Sequence, residues 1–142
     1  MLFKRKIDFF LKEWKSNKDK LPLIVNGPRQ IGKTTSIMEF ATNNYEKVVY
    51  INFHEHPEFK KIFDKGYNPE DIISMITLLD SNITFLPNKT LIFFDEIQEY
   101  PDCCTSFKFF SLDKKYDIIA SGSLLGIHYK NIRSISVGFT SF

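Results

Sequence analysis

Apolar positions along the chain fall into two patterns. Four stretches are apolar almost without interruption: "LPLIV" at 21–25, "KVVYINF" at 47–53, "TLIFFD" at 90–95 and "YDIIAS" at 116–121. Runs that are continuous rather than alternating suit strands of a parallel sheet covered on both faces. Pro22 is tolerable near the start of the first. Between the runs, the apolar residues recur at helical spacing. "KTTSIMEFATNN" offers Ile37, Met38, Phe40 and Ala41, with Asn43–Asn44 as a stop. "NPEDIISMITLLD" reads as a helix with Asn68 at its cap, Pro69 in its first turn and a stripe of Ile72, Ile73, Ile76 and Leu79. "CTSFKFF" predicts a shorter helix before the fourth strand. Ile7, Phe10, Leu11 and Trp14 mark an amphipathic helix over residues 3–16. Strands alternating with helices predict an α/β fold: a three-layer sandwich with a mainly parallel sheet of about five strands. The fifth strand is expected near Ile135, in "SISVGFTSF".

Composition narrows this little. A length of 142 residues suits one domain, 1–142. A hydrophobic share of 43% fits a packed core, and the 15 phenylalanines are read as packing residues. With a net charge of +2, the chain as a whole gains no push toward nucleic acid, and a nucleic-acid partner stays open. The N-terminal "FKRKIDFFLKEWK" is basic, but Asp8, Lys12 and Glu13 interrupt its apolar residues, so neither a signal core nor a membrane span forms. That helix is expected to pack on the domain, with membrane-surface binding as the alternative. Cys103 and Cys104 are adjacent, which suits neither a disulfide framework nor a zinc site. A cytoplasmic location is the expectation.

The chemistry begins after the first apolar run. "NGPRQIGKTT" places Gly27, Gly32, Lys33 and Thr34 at the spacing G-x-x-x-x-G-K-T of a phosphate-binding P-loop. Glycines permit positive φ and close backbone approach. The loop N–H groups and the following helix N-terminus together make an anion site. The candidate nucleotide-binding residues are therefore Gly27, Pro28, Arg29, Gln30, Ile31, Gly32, Lys33, Thr34 and Thr35. Arg29 and Gln30 are either exposed loop side chains or contacts to nucleotide or a neighbouring subunit.

ATP bound in such a loop needs magnesium, and the ion needs a carboxylate at the end of another buried strand. "TLIFFDE" supplies Asp95, with Glu96 beyond it. Lys33 would contact the β- and γ-phosphates, and the Thr34 hydroxyl would hold Mg2+. Asp95 would complete the metal shell through water, and Glu96 would accept a proton from the attacking water. Lys33 and Glu96 are thus the catalytic candidates. In "ASGSLLG", Ser121 or Ser123 either senses the γ-phosphate or simply makes a turn. "HEH" at 54–56 lacks the i, i+4 spacing of a helical metal motif and reads as a solvated loop. No N-K-x-D segment supports GTP. A small-molecule kinase is disfavoured by the Asp-Glu pair, which suits water activation.

"PLIVNGPRQIGKTT", "TLIFFDEIQEYPD", "TSFKFF" and "YDIIASGSLLGI" together resemble a group of prokaryotic AAA-type P-loop ATPases over nearly the whole chain. The loop G-P-R-Q-x-G-K-T, a D-E-I-Q Walker B motif and a terminal S/T-G-S segment carry the resemblance. It implies a P-loop NTPase fold and an ATP-binding, magnesium-dependent ATPase. Such proteins are typically longer, with a further strand, a lid and a C-terminal domain. The resemblance therefore implies a truncated or split member, without its lid or second-sensor arginine. The alternative is a nucleotide-binding or interaction fragment without efficient catalysis, self-associating or pairing with an intact paralogue. Self-association is also expected from Ile135, Val137, Phe139 and Phe142 at an open sheet edge. An arginine finger supplied by this chain, if any, must be Arg5, Arg29 or Arg133, of which Arg133 is best placed along the chain.

Overall fold

A computed structural model describes residues 2–27, 32–123 and 140–141. Helix α1 (Leu2–Ser16) leads into strand β1 (Leu23–Asn26), helix α2 (Lys33–Asn44) and strand β2 (Lys47–Asn52). Helix α3 (Pro69–Leu79) precedes β3 (Thr90–Asp95), and α4 (Phe107–Asp113) precedes β4 (Asp117–Gly122). The described part of β5 is Thr140–Ser141. Single 3₁₀ stretches occupy Pro57–Phe63, Ile97–Glu99 and Pro101–Ser106. The strands form one sheet in the order β2-β3-β4-β1-β5. Every pairing among the described residues is parallel.

Each apolar run becomes a strand, with shifted ends. β1 begins at Leu23 because Pro22 has no N–H to give the ladder, and it runs on through Asn26. "CTSFKFF" divides into a 3₁₀ stretch and the helix α4. Asn68 does precede α3, yet its side chain makes no capping hydrogen bond. The buried stripe of α3 is Ile72 and Ile76, with Met75 packed beside them, while Leu79 is 39% exposed. The residues from Ile135 to Phe139, and Phe142, lie outside the described residues.

Alternation along the strands divides the core between the two sheet faces. Leu23, Val25, Leu91, Phe93 and Ile119 pack with α1 and α2, through Ile7, Leu11, Trp14, Ile37, Phe40 and Ala41. The expected stripe of α1 is thus the one that docks, and the Trp14 indole donates to the Leu21 carbonyl at 2.7 Å. The opposite face joins Ile24, Ile51, Ile92, Phe94 and Ile118 to α3, α4 and the 3₁₀ stretches. Phe53 stacks on Phe94 at 5.9 Å, and Phe63 on Tyr100 at 5.5 Å. Among the described residues no helix is long and apolar enough to cross a membrane.

Candidate functional site at the carboxyl ends of the strands

The polar residues of interest gather where β1, β3 and β4 end, which is where open α/β sheets bind ligands. β1 delivers Gly27, whose N–H reaches the Gly122 carbonyl at the end of β4 at 3.3 Å. Pro28, Arg29, Gln30 and Ile31 lie outside the described residues. The chain re-enters at Gly32, with φ of 103°, a conformation that a side chain would strain. The Gly32 carbonyl accepts the Ser36 N–H at 2.8 Å, so this glycine turns the chain into α2. Lys33 and Thr34 sit in the first turn of that helix, where its dipole is positive. Lys33 is buried, and its ammonium donates to the Gly27 carbonyl at 3.1 Å. Thr35 is exposed.

The register of β3 sends Leu91, Phe93 and then Asp95 toward the α1/α2 face, and Asp95 arrives beside the start of α2. The Thr34 hydroxyl donates to Asp95 Oδ2 at 2.8 Å. Two residues 61 positions apart therefore share one hydrogen bond. The Tyr50 hydroxyl donates to the same oxygen at 2.7 Å. Asp95 Oδ1 accepts the Glu96 N–H at 2.8 Å. A carboxylate offers about four lone-pair positions, so three of them are filled from the described residues.

Tyr50 was not among the sequence candidates, and neither was the residue that orients it. Asn52 closes β2 by accepting the N–H groups of His54 and Glu55 on its amide oxygen, at 2.9 and 3.0 Å. That fixes the amide so that its nitrogen donates to the Tyr50 oxygen at 3.1 Å. Burial first, and then the bond to Asp95, push the Tyr50 phenol far above its ordinary range, so it stays a donor at neutral pH. The available signal was two polar residues two apart in an otherwise apolar run, hence on one sheet face. They also sit in register with Phe93 and Asp95.

Glu96 follows with φ of 56° and ψ of 47°, a left-handed conformation uncommon outside glycine. It costs about 1–2 kcal/mol and turns the chain sharply out of β3. The Gln98 amide donates to the Glu96 carboxylate. Its carbonyl oxygen accepts the Ser123 N–H at 3.1 Å. Gln98 is a third residue missed in the sequence, where it read only as part of the D-E-I-Q motif.

Ser121, in β4, and Ser123, just after it, separate. Ser121 is paired in register with Asp95 on one side and Val25 on the other, so it faces the α1/α2 side. Its hydroxyl is fully buried and has no hydrogen-bond partner among the described residues. Ser123 lies past the strand end, held by its backbone to Gln98. His54 and His56 are exposed and pair with Glu99 and Glu58 at 2.9 and 3.2 Å. Among the described residues no group of histidine, cysteine and acid side chains is arranged to hold a metal by itself. Arg29 and Arg133 lie outside the described residues.

The AAA domain family matches residues 19–141 of the chain. That leaves all of α1 before the matched segment. No curated protein matches significantly. The fold is similar to C. elegans PCH-2, with a TM-score of 0.56 and 14% identity over 98% of this chain. This chain spans only 42% of the PCH-2 chain. It is also similar to a chain of Drosophila ORC bound to DNA, with a TM-score of 0.55, 12% identity, and coverage of 98% of this chain and 89% of that one. A chain from Drosophila ORC bound to GC-rich DNA and Cdc6 gives 0.57 at 10% identity, covering 98% of this chain and 55% of the other. At these identities the likeness is one of fold.

Proposed function

Because this chain belongs to the AAA domain family, we propose that it is an ATP-binding, magnesium-dependent ATPase domain hydrolysing the β–γ phosphoanhydride bond. The observation that carries the reading is the 2.8 Å bond between Thr34 and Asp95. A hydroxyl at a helix N-terminus and a carboxylate at a strand end have no packing reason to meet. They are both hard oxygen donors, the type Mg2+ selects. Bound Mg2+ would supply charge neutralisation between the β- and γ-phosphates.

The chain's own residues would do the rest. Thr34 would hold the ion with its hydroxyl oxygen. Asp95, with Oδ2 already accepting two bonds, would hold it through water. Lys33 would swing from the Gly27 carbonyl to the phosphates, exchanging a neutral acceptor for a charged one. Glu96 stands beside Asp95, at the same edge, and would take the proton of the attacking water. Its strained backbone supports a functional position, because such conformations persist where surrounding structure enforces them. Partner binding is proposed only at the level of nucleotide and a further copy of the chain or a related ATPase.

Single-turnover hydrolysis, measured with nucleotide affinity on this chain, tests the reading. Glu96→Gln is expected to keep ATP affinity and slow hydrolysis by about 10²–10⁴-fold, the usual worth of general-base catalysis. Hydrolysis as fast as in the parent would remove Glu96 from the mechanism.

A further inference from the structure

The side chain of Gln98 joins Glu96 and Ser123, which lie just beyond the last backbone pair of β3 and β4, Asp95 with Ser121. Its amide nitrogen lies on the Glu96 carboxylate, and its carbonyl oxygen takes the Ser123 N–H at 3.1 Å. One planar amide therefore spans from the acid after β3 to the first residue past β4. Gly122 makes room for it. A Cβ built at Gly122 would lie 2.5 Å from the Gln98 oxygen and 3.0 Å from both the Cγ1 and the backbone nitrogen of Ile97. The φ of Gly122 is not among the positive ones, so its backbone does not demand glycine. The space beside it does.

We propose that Gln98 is the positioning residue of the site, setting the orientation of the Glu96 carboxylate and tying it to the end of β4. This deepens the ATPase reading and rests on it. The chemistry is directional. A neutral amide that donates to one oxygen of a carboxylate restrains the rotamer of that side chain without bringing a second charge to it. Because the same amide is held at its oxygen by the Ser123 N–H, it cannot rotate without breaking both bonds. A shift of the β4 end by a bound nucleotide would thus move the Glu96 carboxylate with it. Gln98 touches no reacting atom in this arrangement and acts through Glu96.

Three variants of the full chain test the inference. Gln98→Ala removes the tether. Gly122→Ala leaves the glutamine in place but pushes its amide out with the new Cβ. Gln98→Glu keeps the length and sets a second carboxylate against Glu96. The expected result is an unchanged affinity for ATP–Mg2+, with single-turnover hydrolysis about tenfold slower in both alanine variants. The Gln98→Ala/Gly122→Ala double variant should lose less than the sum of the two single losses, since both break the tether while Gly122→Ala also crowds Ile97. In Gln98→Glu, the acidic limb of the rate–pH profile moves upward, because a like charge raises the pKa of the base. Additive losses in the double variant, or a parental rate in Gln98→Ala, would overturn the proposal. If the parent binds ATP without hydrolysing it, the ATPase reading fails instead. The tether is then read by NMR titration of the Glu96 side-chain carboxyl. Its midpoint should rise in both alanine variants, and an unmoved midpoint would overturn the tether on its own.

Discussion

Phe94 and Asp95 are neighbours in β3, and the pleat sends them to opposite faces of the sheet. Phe94 enters a layer of stacked rings, with Phe53 at 5.9 Å and Phe107 at 6.3 Å. Asp95 enters the α1/α2 side, where Thr34 and Tyr50 converge on it. Both residues are buried. The aromatic face gains by excluding water from ring surfaces, and nearly every substitution there opens a void. The other face ends in polar groups at its carboxyl edge, where desolvated charge is kept in place by hydrogen bonds. One face therefore stabilises the sheet, and the end of the other gathers polar groups around Asp95. Stability and function should separate across a single peptide bond.

The sharpest break of that contrast is at Phe94. Phe94→Ala is expected to cost about 3–5 kcal/mol, which at this chain size lowers Tm by about 10 °C. Calorimetry or denaturant titration measures it, and a cost under about 1 kcal/mol would dissolve the distinction between the faces. Lys33→Ala should do the reverse. On the proposed role of Lys33, apo Tm stays nearly unchanged while ATP binding drops below detection, because the ammonium would serve the phosphates rather than the core. Titration calorimetry on both proteins decides, and parental affinity in the variant would refute the phosphate-loop assignment.

Tyr50→Phe probes the border between the two regimes. The ring still packs on Phe93, at 5.1 Å, but the bond to Asp95 is lost. The variant should lose about 1.5 kcal/mol of stability, as for a hydrogen bond to a charged group. The Mg2+ concentration that half-saturates ATP binding should shift several-fold. A stability change with no shift in Mg2+ dependence would make Tyr50 a packing residue only. The smallest effect is expected at Ser121. A buried hydroxyl with no partner among the described residues adds little, so Ser121→Ala should change stability by less than about 1 kcal/mol. If hydrolysis slows nonetheless at unchanged affinity, Ser121 senses nucleotide. If nothing changes, it is a small residue that fits beside Val25.

The sheet was legible because its signal is local and repeated. Each parallel strand is buried on both faces and must be apolar throughout, so four runs stood out against their surroundings. The candidate phosphate loop and the Asp95–Glu96 pair could be proposed from sequence because positive φ, an ammonium and a strand-end carboxylate are demands on residue type at fixed spacing. The end of α3 was misjudged at Leu79, since helical spacing defines a stripe without saying how far the neighbouring layer reaches. Tyr50, Asn52 and Gln98 escaped notice for a related reason. A tyrosine in a strand or a glutamine after one is ordinary by itself.

The sequence alone determined the order of strands and helices, the G-x-x-x-x-G-K-T spacing and the acidic strand end, because each is written in consecutive residues. Only the tertiary structure decided that β4 separates β1 from β3, so that Gly122 faces Ile97 and Gln98. It alone set the register that brings Tyr50 and Thr34 to one oxygen of Asp95. Those contacts join residues 45 and 61 positions apart. They exist because packing two helices against one sheet face fixes where its strand ends meet, a result that no local pattern contains.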